Sequence, residues 1–241
     1  MKKLMLTFLA AAILLAGLTQ PLAAKGDKIR IGVLRFTNQT AAGWWNSQVA
    51  SELQDMLASE LVSTKAFSVL ERKEIDAVLG EQDLSASGRV SNKTKVQMKK
   101  LKGAQYLVAA TVSAYEENTS GQKGGVRFKG LSVGGGKNKA YIAVDLKVID
   151  TETGEITDAR TIEASAKGSA LGAGLSLRNF SVGGESYKKT PTGKAIRACI
   201  LYIAEYLECS MVEGEDADCM EKFNEMDEKR KEKTKGSIDL D

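Results

Sequence analysis

The chain has 241 residues, of which 43% are hydrophobic and 27% charged, with a formal net charge of only +3. That balance, with cations interspersed among anions, argues against a nucleic-acid partner, and the length suits one sizeable domain with additions. The absence of histidine removes the commonest general base and the commonest transition-metal ligand together, so no enzyme activity, cofactor or metal site is expected.

Lys2 and Lys3 precede an uncharged run from Leu4 to Leu18 that is too short for a comfortable membrane span. Residues 1–24 therefore read as an export signal cleaved after Ala24, and the mature chain begins near Lys25. No cysteine lies in this stretch, so a lipid-anchored N-terminus is not expected. Residues 25–209 form the predicted domain and 210–241 a charged tail.

Lys28 to Phe36 reads as a strand with Ile29, Ile31 and Val33 on one face. A helix follows from about Asn46 to Ser63, its apolar positions Val49, Leu53, Met56, Leu57 and Leu61 at the three-four spacing of one buried face, with Asn46 or Ser47 as its cap. Phe67 to Leu70 predicts a short strand, Glu71 to Leu79 a helix with Ile75, Val78 and Leu79 inward, and residues 83–91 a polar loop. A further helix is predicted from Lys93 to Leu101, carrying Val96, Met98 and Leu101, with Gly103 ending it. Tyr106 to Ala114 is a strand with Val108, Ala110, Val112 and Ala114 on one side. The β-α-β-α-α-β order builds a small sheet covered by helices.

From Tyr115 the texture changes to glycine, serine and lysine. Two glycine-rich segments end in nearly the same words, Leu131-Ser132-Val133-Gly134-Gly135 and Phe180-Ser181-Val182-Gly183-Gly184. Around them apolar and polar residues alternate with period two, as in a strand with two unlike faces. Lys139 to Ile149 is a long strand, closed by a turn at residues 150–155 in which Gly154 can take a positive φ. Arg160 to Ala170 carries Ile162, Ala164 and Ala166 on one face and only polar residues on the other. The return strand presents Leu175 and Leu177, then changes phase to present Phe180 and Val182. These tracts reach the ~9–11 residues of a membrane strand. Alternation alone leaves two partners open for the apolar face: lipid, or solvent around β-arms on a soluble domain. Open edges are not tolerated in lipid, so the membrane alternative requires several copies of the chain to close one barrel.

Thr190-Pro191-Thr192 starts a helix to about Cys209, with Ile196, Cys199, Ile200, Ile203 and Leu207 on one face. Cys199 reads as a small buried apolar residue. A Cys209–Cys219 bridge is one option in an oxidising compartment, and the connectivity stays open. In the tail, Met220, Phe223 and Met226 form a weak stripe on an otherwise solvated helix.

Tyr141-Ile142-Ala143-Val144-Asp145-Leu146-Lys147-Val148-Ile149-Asp150, followed by Thr153-Gly154-Glu155-Ile156, together with Val69-Leu70-Glu71-Arg72 and Gly124-Gly125-Val126, resembles the CsgG family of outer-membrane secretion channels for curli subunits. The resemblance covers about Lys28 to Leu207. It implies an α+β domain on the periplasmic side, with hairpins at about 115–148 and 158–187 that join those of other copies in one transmembrane β-barrel. Val126, Phe128, Leu131, Val133, Ile162, Ala164, Ala166, Leu175, Leu177, Phe180 and Val182 would then be the hairpin residues facing lipid. It also implies a constriction lined from the loop between the first strand and first helix, where a polar residue precedes an aromatic one. Those two places fall on Trp44 and Trp45, with Asn46 beside them, so the aromatic is kept and the polar residue is not. The loop is several residues shorter than the family's, and the lipid-anchored cysteine of its type member is missing. Trp44 and Trp45 have a second reading, as aromatics sealing the helix start against the sheet. The implied function is passage of unfolded polypeptide through the pore, with the chain itself, the secreted polypeptide, membrane lipid and a periplasmic accessory protein as partners. The alternative is a non-pore periplasmic binding or activator module.

Overall fold

The computed structural model describes residues 27–118, 127–128, 131–132, 139–167 and 190–237. The fold is α+β. Strands β1 (Arg30–Val33), β2 (Thr37–Asn38), β3 (Ser68–Leu70), β4 (Tyr106–Asn118), β7 (Lys139–Asp150) and β8 (Ile156–Lys167) make one mixed sheet ordered β3-β1-β4-β7-β8, with β2 also on β4. β1 runs parallel to β3 and β4, whereas β4, β7 and β8 are antiparallel neighbours. Arg127–Phe128 (β5) and Leu131–Ser132 (β6) form a small antiparallel pair. Among the described residues there are helices at Ser47–Thr64 (α1), Ile75–Ala86 (α2), Pro191–Glu208 (α3) and Asp218–Lys235 (α4), with a π-helical turn at Cys209–Glu213 after α3.

Two helices build the core. α1 starts where Asn46 Oδ1 accepts from Val49 N at 2.9 Å and ends at Lys65 in the left-handed region, φ 61°. α3 starts where Thr190 Oγ1 accepts from Gly193 N at 3.1 Å, with Pro191 at its first position. α1 packs on β1 and β3, α3 on β7 and β8, and the two helices on each other. Every apolar position expected to face inward on them is buried, and so are Ile31, Val108, Val112, Ile142, Val144, Leu146 and Val148 from the sheet. Each such side chain contributes about 1.5–3 kcal/mol by leaving water.

Elsewhere the expectations need correction. The helix expected at Lys93 to Leu101 does not form: only a turn at residues 92–94 is present, and Val96, Met98 and Leu101 stay exposed. Without a surface to cover an apolar stripe, local propensity gives too little for a short lysine-rich helix. α2 begins later than expected, because Glu71 Oε1 takes the Lys73 and Glu74 amides into a turn, and it runs through Ala86 across the expected loop. Its buried residues are Gln82 and Ser85, while Val78 and Leu79 are 38% and 42% exposed. The first strand breaks after Val33 and resumes at Thr37 on β4.

Ile162 and Ala164 are buried in the core on the face of β8 that α3 covers, and Ala166 packs against the same cluster. Cys199 Sγ donates to Ile162 O at 3.4 Å. These three residues face protein, not lipid, because β8 is still part of the helix-covered sheet at this height. Val126, Val133, Leu175, Leu177, Phe180 and Val182, like the export signal at 1–24, lie outside the described residues. Phe128 and Leu131 oppose each other in the β5–β6 pair.

The turn from Asp150 to Glu155 forms as expected, with Gly154 at φ 77° and Asp150 Oδ1 accepting from the Glu152 and Thr153 amides. Those amides, with the Thr153 side chain, hold the Asp150 carboxyl below the usual range. Cys209 and Cys219 are disulfide-bonded and Cys199 is a buried free thiol, which burial pushes up in pKa. α4 is docked by its first half: Met220 and Phe223 are buried, and the Phe223 and Tyr206 rings meet edge-on at 5.3 Å. Among the described residues no helix is long and apolar enough to cross a membrane.

Candidate functional site

The loop that carries Trp44 and Trp45 is a built structure. Asn38 Oδ1 accepts from Thr40 N at 3.0 Å and from Thr40 Oγ1 at 2.7 Å, and Ala42 N donates back to Thr40 Oγ1. This turn, an Asx arrangement that a short polar side chain makes with nearby backbone, reverses the chain after β2. Trp45 N donates to Ala42 O at 3.1 Å and Asn46 then caps α1. The two indoles are thus fixed between a strand paired to β4 and the start of a buried helix.

A β-bulge gives Trp44 its partner. Val112 pairs with Val144 but Ala114 with Ala143, so Ser113 is the extra residue and the side-chain alternation of β4 changes phase. Ala114, expected on the Val112 side, is displaced from it. Tyr115 takes that side instead, opposite the buried Ile142. The Trp44 and Tyr115 rings meet edge-on at 5.4 Å, and Trp44 and Trp45 at 5.7 Å. The Tyr115 hydroxyl is 2.9 Å from Thr192 Oγ1 in the first turn of α3. Burial raises the Tyr115 phenol pKa, against the Thr192 hydrogen bond that lowers it. One chain of contacts therefore ties the loop to the sheet and to the start of α3.

The place of this cluster matters as much as its contacts. Among the described residues the three long strands pair up to Asn118 with Lys139 and Lys139 with Lys167, so β4 and β8 run toward, and β7 starts from, the same end of the sheet. Tyr115 is three residues from that end. Trp44, Trp45 and Asn46 thus sit where the chain departs toward both hairpin tracts. Trp44 and Trp45 are half-buried and Asn46 is exposed with its side-chain oxygen engaged as a cap. The structure makes the sealing contact of Trp44 against the sheet and leaves part of each indole uncovered. Neither Tyr115 nor Thr192 stands out in the sequence as part of this cluster; the extra residue at Ser113, which brings Tyr115 to it, has no signature in the alternation.

The family described as curli production assembly/transport component CsgG matches residues 14–238. The chain belongs to the CsgG family. Curli production assembly/transport components CsgG of Escherichia coli K12 and Salmonella typhimurium are each 26% identical to it over 145 residues, 56% of this chain and 52% of theirs. The chain thus spans about half the length of the curated relatives it matches. Among solved structures it is similar to the hypothetical protein CT253 from Chlamydia trachomatis, with 13% identity, a TM-score of 0.45 and coverage of 76% of this chain and 96% of that one. A PelC dodecamer from Paraburkholderia phytofirmans aligns at 11% identity with a TM-score of 0.37, covering 73% of this chain and 85% of that one.

Proposed function

We propose that this CsgG-family chain is one subunit of an oligomeric outer-membrane channel that secretes unfolded polypeptide, curli-like or adhesin subunits, from the periplasm. Membership of a family described as a curli assembly and transport component supports a secretion role. The observation that carries the pore reading is the geometry of one end of the sheet: three long antiparallel strands leave together there, beside the partly uncovered aromatics Trp44 and Trp45. A helix-covered base whose three long strands reach one common end suits the foot of a barrel wall shared between copies. An aromatic loop held rigidly at its foot suits a constriction around an extended chain. The protein works by guidance rather than chemistry, consistent with a chain that has no histidine.

One contact favours the second reading, a periplasmic binding or activator module without a pore: Trp44 is anchored on Tyr115, which is bound in turn to Thr192. Detergent-extracted protein examined by electron microscopy and in planar bilayers separates the two. A channel gives rings and current, and replacing Trp45 by alanine changes the single-channel conductance while rings persist. Protein that is monomeric, washes off membranes with salt and carries no current defeats the pore reading.

A further inference from the structure

The near-neutral total charge conceals a segregation that overturns the even spread expected from composition. Residues 87–104 carry Arg89, Lys93, Lys95, Lys99, Lys100 and Lys102 and no acid, whereas residues 213–221 carry Glu213, Glu215, Asp216, Asp218 and Glu221 and no base. All of these side chains are exposed, and among the described residues none of them makes an ion pair.

The two runs lie on opposite faces of the sheet. A Cβ at Gly32, which alternates with the core residues Ile31 and Val33, would meet Leu107 and Arg72, so Arg72 packs on the face away from α1. The cationic run is tied to that side, since Arg72 Nη2 donates to Lys102 O at 3.5 Å and Arg30 Nε to Gly103 O at 2.8 Å. The acidic run follows α3 on the other face. There Glu215 and Asp216 line a cleft of about 460 Å³ with Asp158, Tyr206 and Met220. Both runs are at the same height, near the starts of β1 and β4, at the end opposite the departing strands.

Apolar residues accompany the charges. Val96, Met98 and Leu101 are exposed within the cationic run, and Val212 beside the acidic one. Opposite charges on opposite faces of one sheet find their partners between copies rather than within a copy. Such a front-to-back contact is heterologous, the type that closes into a ring. A lipid surface is the poorer fit for the cationic run: at ~3.3 Å per residue, the 13 residues of β4 separate it from the end where the hairpin tracts begin.

Resting on the ring reading above, we infer that residues 89–102 of one subunit dock on residues 213–221 of the next, a cationic-apolar surface against an acidic one. Exposed pairs contribute little singly. Arrayed together they set partner orientation and association rate, while the apolar residues supply burial.

Reversing Lys93, Lys95, Lys99 and Lys100 to glutamate should lower the ring fraction of detergent-extracted full-length protein by about tenfold at physiological salt, and reversing Glu215, Asp216, Asp218 and Glu221 to lysine should do the same. The combined variant should regain rings, which a folding defect could not produce. Glutamine in place of the same lysines should give a smaller loss, and wild-type rings should weaken in 1 M salt, where the screening length is about 3 Å. Rings that persist in both reversals overturn this inference and leave the ring reading standing. Intact rings with lost binding to phosphatidylglycerol vesicles assign the cationic run to lipid and also overturn it. Wild-type protein without rings overturns both readings.

Discussion

α2 and α3 both present apolar residues at helical spacing, yet one is a pillar of the core and the other stands in solvent. Ile203 and Leu207 of α3 are fully buried against the sheet and α1, whereas Val78 and Leu79 of α2 are 38% and 42% exposed. The difference lies in what surrounds them. α3 follows the long strands and falls across β7 and β8, which offer a continuous apolar surface. α2 follows a three-residue strand at the sheet edge, where little surface remains to cover. A periodic stripe states that a helix has an apolar side; only the neighbours decide whether it is filled.

The contrast should be widest at Ile203. Ile203→Ala leaves a cavity between α3 and the sheet and should cost about 3–4 kcal/mol in urea unfolding; a cost below about 1 kcal/mol would mean that α3 is loosely packed. Tyr206 tests the lower end of the same helix, where its hydroxyl donates to the Asp158 carboxylate at 2.8 Å. Tyr206→Phe should cost about 2 kcal/mol by removing a hydrogen bond to a charged acceptor. Burial, then the Asp158 carboxylate, pushes the Tyr206 phenol up to about 12. The folded state therefore holds this proton more tightly than an unfolded tyrosine, near 10. The associated stability is complete below about pH 10 and is lost as pH rises toward about 12. Tyr206→Phe should flatten that alkaline limb, and a limb unchanged in the variant would assign the loss to other groups.

A smaller effect belongs to the entry of α1. Asn46→Ala should cost about 1 kcal/mol by freeing the Val49 amide, and Asn46→Asp should restore most of it. Smallest is Leu79→Ala on α2, which should change unfolding free energy by no more than about 0.5 kcal/mol. A loss comparable with that at Ile203 would show that α2 is covered in solution, and the contrast between the two helices would collapse.

Much of this fold is legible in the sequence. The faces of α1 and α3, the α1 cap narrowed to Asn46 or Ser47, the start of α3 at Thr190-Pro191, the Asp150–Glu155 turn and the buried Cys199 all follow from local patterns whose cause is local. The family was legible from the strand and turn at Tyr141 to Ile156. The site was legible only in part. Trp44 and Trp45 stand out as paired aromatics at a helix start, but their neighbour Tyr115 reaches them through the bulge at Ser113, which depends on pairing with β7. Ile162 and Ala164 misled for a related reason: alternation gives a strand two faces and is silent on whether the apolar one meets lipid or a helix.

What the amino-acid order determined by itself is the set of periodic segments, their caps and turns, and the exclusion of histidine chemistry, because each of these depends on residues a few positions apart. Tertiary structure decided which apolar faces were covered, that Cys209 pairs with Cys219, and that two oppositely charged runs more than a hundred residues apart come to lie on opposite faces at one end of the sheet. Those outcomes depend on surfaces meeting across the fold, and a surface exists only once the chain has folded.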